Sequence, residues 1–195
     1  MQKLPNRTTM ALTSRNHRSA RSLRDTSHMQ TSKDILVSDS DRACGPCTAC
    51  CEGWLESKHL EMSPGVPCKH LCERGCSIYD ERPEDPCRKF QCAWLACPDQ
   101  FPEGMRPDLI GTIILRDRPV NNWETIALVP SGESVPDDVL QWMTDYASER
   151  QIPLIWHVWG KQADNFKGGK SFAKGPDEFL AVARWQMDSD DLLSL

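Results

Sequence analysis

The octapeptide Cys44-Gly-Pro-Cys47-Thr-Ala-Cys50-Cys51 opens a region that holds all ten cysteines of the 195-residue chain. The other six follow at short intervals: Cys68, Cys72, Cys76, Cys87, Cys92 and Cys97. An even count would let every thiol pair in a disulfide, but the sequence has no apolar stretch of the kind that directs secretion. Dense, closely spaced thiols outside a secretory context indicate metal ligands instead.

These thiols are more numerous than one metal ion requires. A structural zinc ion takes about four ligands, and an iron–sulfur cluster also takes about four thiolates. Cys50 and Cys51 are adjacent, so their side chains diverge. They are accommodated most easily if they serve different centres, or if one of them bridges two metals. The sequence therefore predicts a polynuclear site or two separate sites. The metal would be zinc or iron, and the iron could belong to an iron–sulfur cluster.

Proline and glycine interrupt residues 41–100 throughout, which predicts an irregular cysteine-rich module with only short helices. Such a segment has little core of its own, so metal binding would supply folding free energy and stabilise the module. The chain then divides into three regions. We expect a disordered basic arm over residues 1–40, the metal-stabilised cysteine module over 41–100, and a small α+β region over 101–195.

Helices inside the module would place its cysteines in defined directions. Asp85 and Pro86 form a favourable helix start, and a helix continuing to Leu95 would separate Cys87 from Cys92 by about 140° around its axis. That angle indicates two separate metal centres, or a helix that breaks between the two cysteines.

The same reasoning applies to the cysteines before this helix. Cys68, Cys72 and Cys76 follow at four-residue intervals, so neighbouring members of this set would share a helical face.

Residues 101–195 contain no cysteine, and their pattern predicts a small sheet backed by one or two helices. The β-branched runs Ile110–Arg116 and Trp123–Val129 indicate a hairpin whose loop spans 117–122, and Pro153–Val158 indicates a third strand. Ser134–Asp137 resembles a capping box, and a last helix is predicted over Asp177–Met187. Apolar residues after the capping box recur on one helical face: Val139, Leu140, Met143, Tyr146 and Ala147.

Positive charge is concentrated at the N-terminus. Residues 1–33 hold seven basic residues and one acid, a net charge of +6, so the rest of the chain carries −11 and the whole chain −5. This segment is rich in Ser and Thr and poor in large apolar residues, which is why we expect disorder there. The alternatives are a start codon at Met10 or Met29, a basic tail for an acidic partner, and an organellar transit peptide.

Composition narrows the function classes. Hydrophobic residues make up 39% of the chain and charged residues 26%, values typical of a soluble protein. No apolar run is long enough to cross a membrane, and a net negative charge gives no reason to expect nucleic acid. We expect a cytoplasmic protein that binds neither membranes nor nucleic acid, and a protein partner is left open.

The motifs of the module occur in a recognisable order. Cys44-x-x-Cys47-x-x-Cys50-Cys51 and Cys68 precede Gly75-Cys76-Ser-Ile-Tyr79, Arg82-Pro83 and Cys87-Arg-Lys-Phe-Gln-Cys92. Over residues 42–97 this order resembles the CxxCxxCC family of YkgJ-type cysteine-cluster proteins. These proteins are mostly bacterial and are described as zinc- or iron-chelating domains.

The resemblance implies a ligand set of eight cysteines: Cys44, Cys47, Cys50, Cys51, Cys68, Cys76, Cys87 and Cys92. It leaves Cys72 and Cys97 outside that set, and it gives Tyr79, Arg82 and Pro83 a part in fixing the fold around the metal. The function implied is metal chelation through about eight thiolates.

A second function comes from a related cysteine cluster in flagellin lysine N-methylase. It implies an iron–sulfur redox or group-transfer protein. That enzyme is larger, and the sequence here has no glycine-rich nucleotide loop for a methyl donor. Whether the chain is an enzyme therefore stays open, and no catalytic residue is assigned.

Weaker signals point to structural roles. His70 lies between two cysteines, but among so many thiols it is more typical of a residue beside a metal site than of a ligand. Gly169-Lys170-Ser171 resembles the end of a phosphate-binding loop, but Asp164 replaces the first glycine of that motif. We expect His157 to be a structural histidine and the nearby lysines to lie in a solvated loop: Lys161, Lys167, Lys170 and Lys174.

Overall fold

The computed structural model describes residues 42–45, 47–162 and 165–186, and the expected disordered arm and Met187 lie outside these ranges. In chain order the elements are β1 (Leu71–Cys72), β2 (Gly75–Cys76), α1 (Ala93–Ala96), α2 (Pro107–Ile110), β3 (Thr112–Val120), β4 (Trp123–Pro130), α3 (Asp137–Glu149), β5 (Leu154–Gln162), β6 (Asn165–Lys174) and α4 (Asp177–Gln186). The fold is mixed α/β, with a small sheet and several short helices, as predicted.

Strands β3 to β6 form a four-stranded sheet in the order β3-β4-β5-β6. The β3–β4 and β5–β6 pairs are antiparallel, whereas β4 and β5 run parallel and are connected through α3. A parallel pair needs a crossover connection of this kind. No described helix has the length and apolarity that a membrane span requires.

The predicted hairpin is confirmed, but the predicted loop at 117–122 is wrong. Strand β3 continues to Val120 through a shift in register between Leu115 and Arg118, and only Asn121 and Asn122 form the turn. The bulge accounts for the error, because it carries polar residues through the strand without ending its pairing.

The lysines at 170 and 174 lie in strand β6 rather than in a solvated loop, so that prediction is also wrong. Lys170 pairs with Val158 and Lys174 with Leu154 along β5. Gly169 permits this pairing, since a Cβ there would stand 2.2 Å from the Val158 carbonyl oxygen at a φ of +134°. Non-local pairing overrides the weak local strand propensity of this lysine- and glycine-rich stretch.

Helix α3 forms where the sequence predicted it, without the predicted cap. Pro136 precedes its first turn and no side chain caps it, while Ser134 instead makes a bridge with Val158. The predicted apolar face is buried at Val139, Met143, Tyr146 and Ala147, with Leu140 partly buried.

The helix predicted from Pro86 to Leu95 is broken, which was one of its two predicted outcomes. A distorted turn covers Glu84–Arg88, Cys92 is extended with φ −68° and ψ 164°, and α1 begins after it. The shared helical face predicted for Cys68, Cys72 and Cys76 is wrong. Cys72 and Cys76 instead lie on the two strands of a small hairpin, β1–β2.

Residues from both sides of position 100 contribute to one hydrophobic cluster. Phe101 is fully buried, and its ring lies 5.3 Å from the Tyr146 ring and 6.1 Å from the Trp142 ring of α3. Arg42 Nη1 donates hydrogen bonds to the carbonyl oxygens of Trp94, at 2.7 Å, and Phe101, at 2.6 Å. The cysteine-rich segment, residues 42–100, is thus packed against the sheet through α1 and β3, and Gln100 Oε1 accepts a hydrogen bond from the Tyr146 hydroxyl of α3 at 2.6 Å.

Candidate metal centre

A cavity of about 90 Å³ lies inside the cysteine-rich segment. Eight thiol-bearing residues line it: Cys44, Cys47, Cys50, Cys51, Cys68, Cys76, Cys87 and Cys92. They are the same eight that the family resemblance names. The remaining lining residues are mostly apolar, including Leu60, Phe90 and Trp94. The fold therefore gathers residues from nearly fifty positions of sequence around one partly open cavity.

The first cysteines are brought together by tight turns. The Cys47 N–H donates to the Cys44 carbonyl oxygen at 2.8 Å, and the Cys51 N–H donates to the Thr48 carbonyl oxygen at 2.7 Å. Gly53 then reverses the chain at a φ of +86°, where a Cβ would stand 2.3 Å from the Val66 carbonyl oxygen. Only glycine fits this close backbone approach.

The next cysteines are tied to Cys51 by backbone hydrogen bonds. The Cys68 N–H donates to the Cys51 carbonyl oxygen at 2.8 Å, and the Leu71 N–H donates to the Cys68 carbonyl oxygen at 2.9 Å. Leu71 pairs with Cys76 across the β1–β2 hairpin. This short ladder carries Cys76 back to the cavity.

Mutual proximity and burial keep several of these thiols protonated. Residue Cys50 as a whole is only half-buried, but its thiol is enclosed. That burial, with the nearby thiols of Cys92, Cys47, Cys44 and Cys51, raises the pKa of Cys50 well above its usual value. Removing a thiolate from water and placing others beside it both disfavour its charge.

Cys51 and Cys92 show the same effects with different neighbours. Burial, then the thiols led by Cys68 and Cys76, raises the pKa of Cys51 to about 12. Burial also raises the pKa of Cys92 to about 11, opposed by the backbone N–H of Leu95. A bound cation would offset this repulsion, so the electrostatics fit a metal-binding role.

Arg82 is a cation that lines the cavity beside these thiols. Its guanidinium hydrogen-bonds Cys44 and lies 3.7 Å from the centre of the Tyr79 ring. Its charge lowers the pKa of both Cys44 and Cys87, although burial, the larger effect, leaves each pKa raised. The resemblance gave Arg82 a structural part, and its position beside two thiols adds an electrostatic one.

Asp108 contacts the site and was missed by the sequence analysis. Burial raises the pKa of the Cys47 thiol, the backbone N–H groups of Ala49 and Asp108 oppose that rise, and the Asp108 carboxylate adds to it. Arg106 Nε donates to Asp108 Oδ1 at 2.7 Å and holds that carboxylate in place. No local pattern marks Asp108, because it lies beyond the cysteine-rich segment.

The two cysteines outside the predicted ligand set and the two histidines considered above differ in whether they line the cavity. Cys72 is exposed on the hairpin, and Cys97 accepts a hydrogen bond from Arg116 Nη1; neither lines the cavity. His70 does line it. His157 Nδ1 lies 2.9 Å from Ser171 Oγ between paired strands, which agrees with the structural role predicted for it.

The thiols surround the cavity without converging on one point. Within residues 42–45, 47–162 and 165–186, no three His, Cys, Asp or Glu side chains stand close enough together to hold a metal ion. The donor chemistry nevertheless fits zinc or iron, which thiolates bind well. Two buried N–H donors in the lining, Arg82 Nε and Trp94 Nε1, also have no hydrogen-bond acceptor among the described residues.

No family model, no curated protein and no solved structure matches this chain.

Proposed function

We propose that this protein chelates zinc or iron through eight thiolates. The observation that carries the proposal is the cavity lined by eight of the ten cysteines, with Cys72 and Cys97 outside it. A sequence constrained only to keep small apolar side chains in its core would have no reason to use cysteine at each of these positions. Several soft thiolate donors around one cavity are typical of zinc and iron–sulfur sites.

The energetics support the same proposal. Burial and the neighbouring thiols raise the pKa values of Cys50 and Cys51, so the thiolates that would bind metal are disfavoured, and a divalent cation would stabilise them. Metal binding would then release protons and contribute directly to folding free energy. Such coupling suits a segment whose regular elements here are as short as the two-residue strands β1 and β2.

An iron–sulfur protein with a redox or group-transfer role is the second candidate. Arg82 Nε and Trp94 Nε1 are buried N–H donors with no acceptor among the described residues, and both belong to residues that line the cavity. Inorganic sulfide and cluster thiolates accept hydrogen bonds of this kind, and such bonds set the potential of a cluster. The mostly apolar lining would also keep water from the cluster.

The test is anaerobic purification followed by elemental analysis for zinc, iron and acid-labile sulfide, with an ultraviolet–visible spectrum. Zinc with a featureless visible spectrum supports chelation of a structural metal. Iron and sulfide with a broad band that bleaches on reduction supports the second candidate. Protein that carries no metal, and takes up neither zinc nor iron after reduction, overturns both proposals.

Cys72→Ser and Cys97→Ser provide matched controls. Each removes a thiol from the same region without touching the cavity, so each should retain the metal content of the parent protein. A loss of metal in either control would show that the ligand set differs from the eight lining cysteines.

A further inference from the structure

We propose that the cavity holds two adjacent four-thiolate centres rather than one shared site, an inference that rests on the proposed metal binding. Because no three metal-binding side chains of the described residues converge on one point, metal binding would draw each set of four thiolates together. The first centre takes its thiolates from Cys44, Cys47, Cys50 and Cys92. The second takes them from Cys51, Cys68, Cys76 and Cys87.

Backbone contacts connect three of the four members of the first centre, Cys44, Cys47 and Cys92. The turn closed by the Cys47 N–H and the Cys44 carbonyl oxygen places these two residues side by side. Arg42, two residues before Cys44, donates to the carbonyl oxygen of Trp94 at 2.7 Å. This hydrogen bond joins the start of the cysteine-rich segment to α1, whose N-cap residue is Cys92.

A separate set of contacts holds the second centre. The hydrogen bond between Cys68 and Cys51 and the pairing of Leu71 with Cys76 connect three of its four members. The Ser77 N–H also donates to the His70 carbonyl oxygen at 2.8 Å, which continues this ladder beyond Cys76. The hairpin therefore places Cys76 on the side of the cavity where Cys51 lies.

The thiols interact electrostatically in the same two groups. Cys92 is influenced by Cys44 and Cys47, whereas Cys87 is influenced by Cys68 and Cys76. Electrostatic interactions between the two groups involve Cys51. This residue follows Cys50 in the chain, and its thiol also interacts with that of Cys44. The two groups thus adjoin near Cys44, where the backbone carbonyl of Gly45 also approaches Gly75 of the hairpin.

The division resolves the adjacency of Cys50 and Cys51. Neighbouring side chains diverge, and here the largest thiol influences on Cys50 come from Cys92 and Cys47, whereas those on Cys51 come from the thiols of the second centre. Neither therefore has to bridge two metals. A four-thiolate centre with a divalent ion carries a charge of about −2. Arg82 lies beside Cys44 of the first group and Cys87 of the second, where one guanidinium partly offsets the charge of both.

The test is the zinc stoichiometry of the full chain, reconstituted with zinc(II) after reduction and chelation, for the parent protein and three variants. Cys47→Ser removes a thiol from the first centre and Cys76→Ser removes one from the second. Cys72→Ser is the matched control, because Cys72 lies on the same hairpin as Cys76 but outside the cavity. We expect two zinc ions in the parent protein and the control, and one in each cavity variant.

Cadmium-113 NMR of the parent protein, loaded with cadmium(II), tests for two separate centres without depending on the folding of either variant. Two resonances without metal–metal coupling support separate centres. Coupled resonances, a single ion in the parent protein, or loss of both ions in soluble Cys47→Ser and Cys76→Ser would overturn the division while leaving metal binding intact. A parent protein that binds no zinc or cadmium would instead refute the proposed function itself.

Discussion

Replacing Phe101 with alanine should destabilise the cysteine-rich segment and the sheet together. Phe101 is fully buried in the hydrophobic cluster that joins the cysteine-rich segment to the sheet, and its ring packs against the aromatic side chains of Tyr146 and Trp142 on α3. The substitution leaves the backbone carbonyl that accepts the Arg42 hydrogen bond in place. It therefore removes side-chain packing and little else.

The expected loss follows from the size of the ring. A buried phenylalanine truncated to alanine costs about 3–5 kcal/mol, because both the transfer free energy and the resulting cavity count against the folded state. Whole domains are stable by only about 5–15 kcal/mol, so this loss is a large share of the total. In a chain of this length it corresponds to a melting temperature lowered by roughly 6–20 °C.

Urea denaturation of the protein as purified, followed by far-ultraviolet circular dichroism and by thiol reactivity, measures the effect on both regions. Leu109→Ala is the control, because Leu109 is 59% exposed and its truncation should change stability by less than about 0.5 kcal/mol. A cost under about 1 kcal/mol for Phe101→Ala would contradict this packing. Thiols that become reactive at a lower urea concentration than the one that unfolds the sheet would contradict a shared core, which requires coincident transitions.

Three further results are expected. Gly53→Ala should abolish metal retention and lower the melting temperature, because its Cβ would meet the Val66 carbonyl oxygen at 2.3 Å; retained metal would show that the turn can open without harm. Arg82→Met should weaken metal binding by about 10–100-fold in chelator competition, and an unchanged affinity would remove Arg82 from an electrostatic role. After chelation, Cys51 and Cys92 have folded-state pKa values of about 12 and about 11, above the ordinary 9.0, so their neutral thiols stabilise the fold below pH 9. That contribution is lost as the pH rises towards 11 and 12, and a melting temperature that increases from pH 9 to 11 would contradict the assignment.

Local patterns predicted those elements whose stability is also local. The β3–β4 hairpin and α3 follow from β-branched runs and from a 3.6-residue apolar period, and both form in the predicted part of the chain, although β3 continues to Val120. Strand β6 could not be predicted, because its lysines and glycines have weak strand propensity and its order comes from pairing with β5. The lengths of β3 and β5 were underestimated for a related reason: pairing carries both strands through shifts in register.

The candidate site was predictable in its residue types and much less so in its geometry. Cysteine spacing identified the thiols, but the predicted helices that would have oriented Cys68, Cys72 and Cys76 do not form. Pairing across the β1–β2 hairpin determines which of these thiols reaches the cavity. Asp108 was beyond prediction, since its contact with Cys47 joins residues that no periodic pattern relates.

The two proposed centres should differ in how much they depend on metal. The first is fixed to the larger sheet at two places. Cys92 directly precedes α1, which packs against β3, and Cys47 contacts Asp108 in α2, which leads directly into β3. The second depends on the β1–β2 hairpin, whose strands are two residues long and are marginal without further support. Removing metal with a chelator should therefore speed amide hydrogen exchange over residues 68–76 far more than over residues 92–97. Equal acceleration in both segments would show that the sheet does not anchor the first centre.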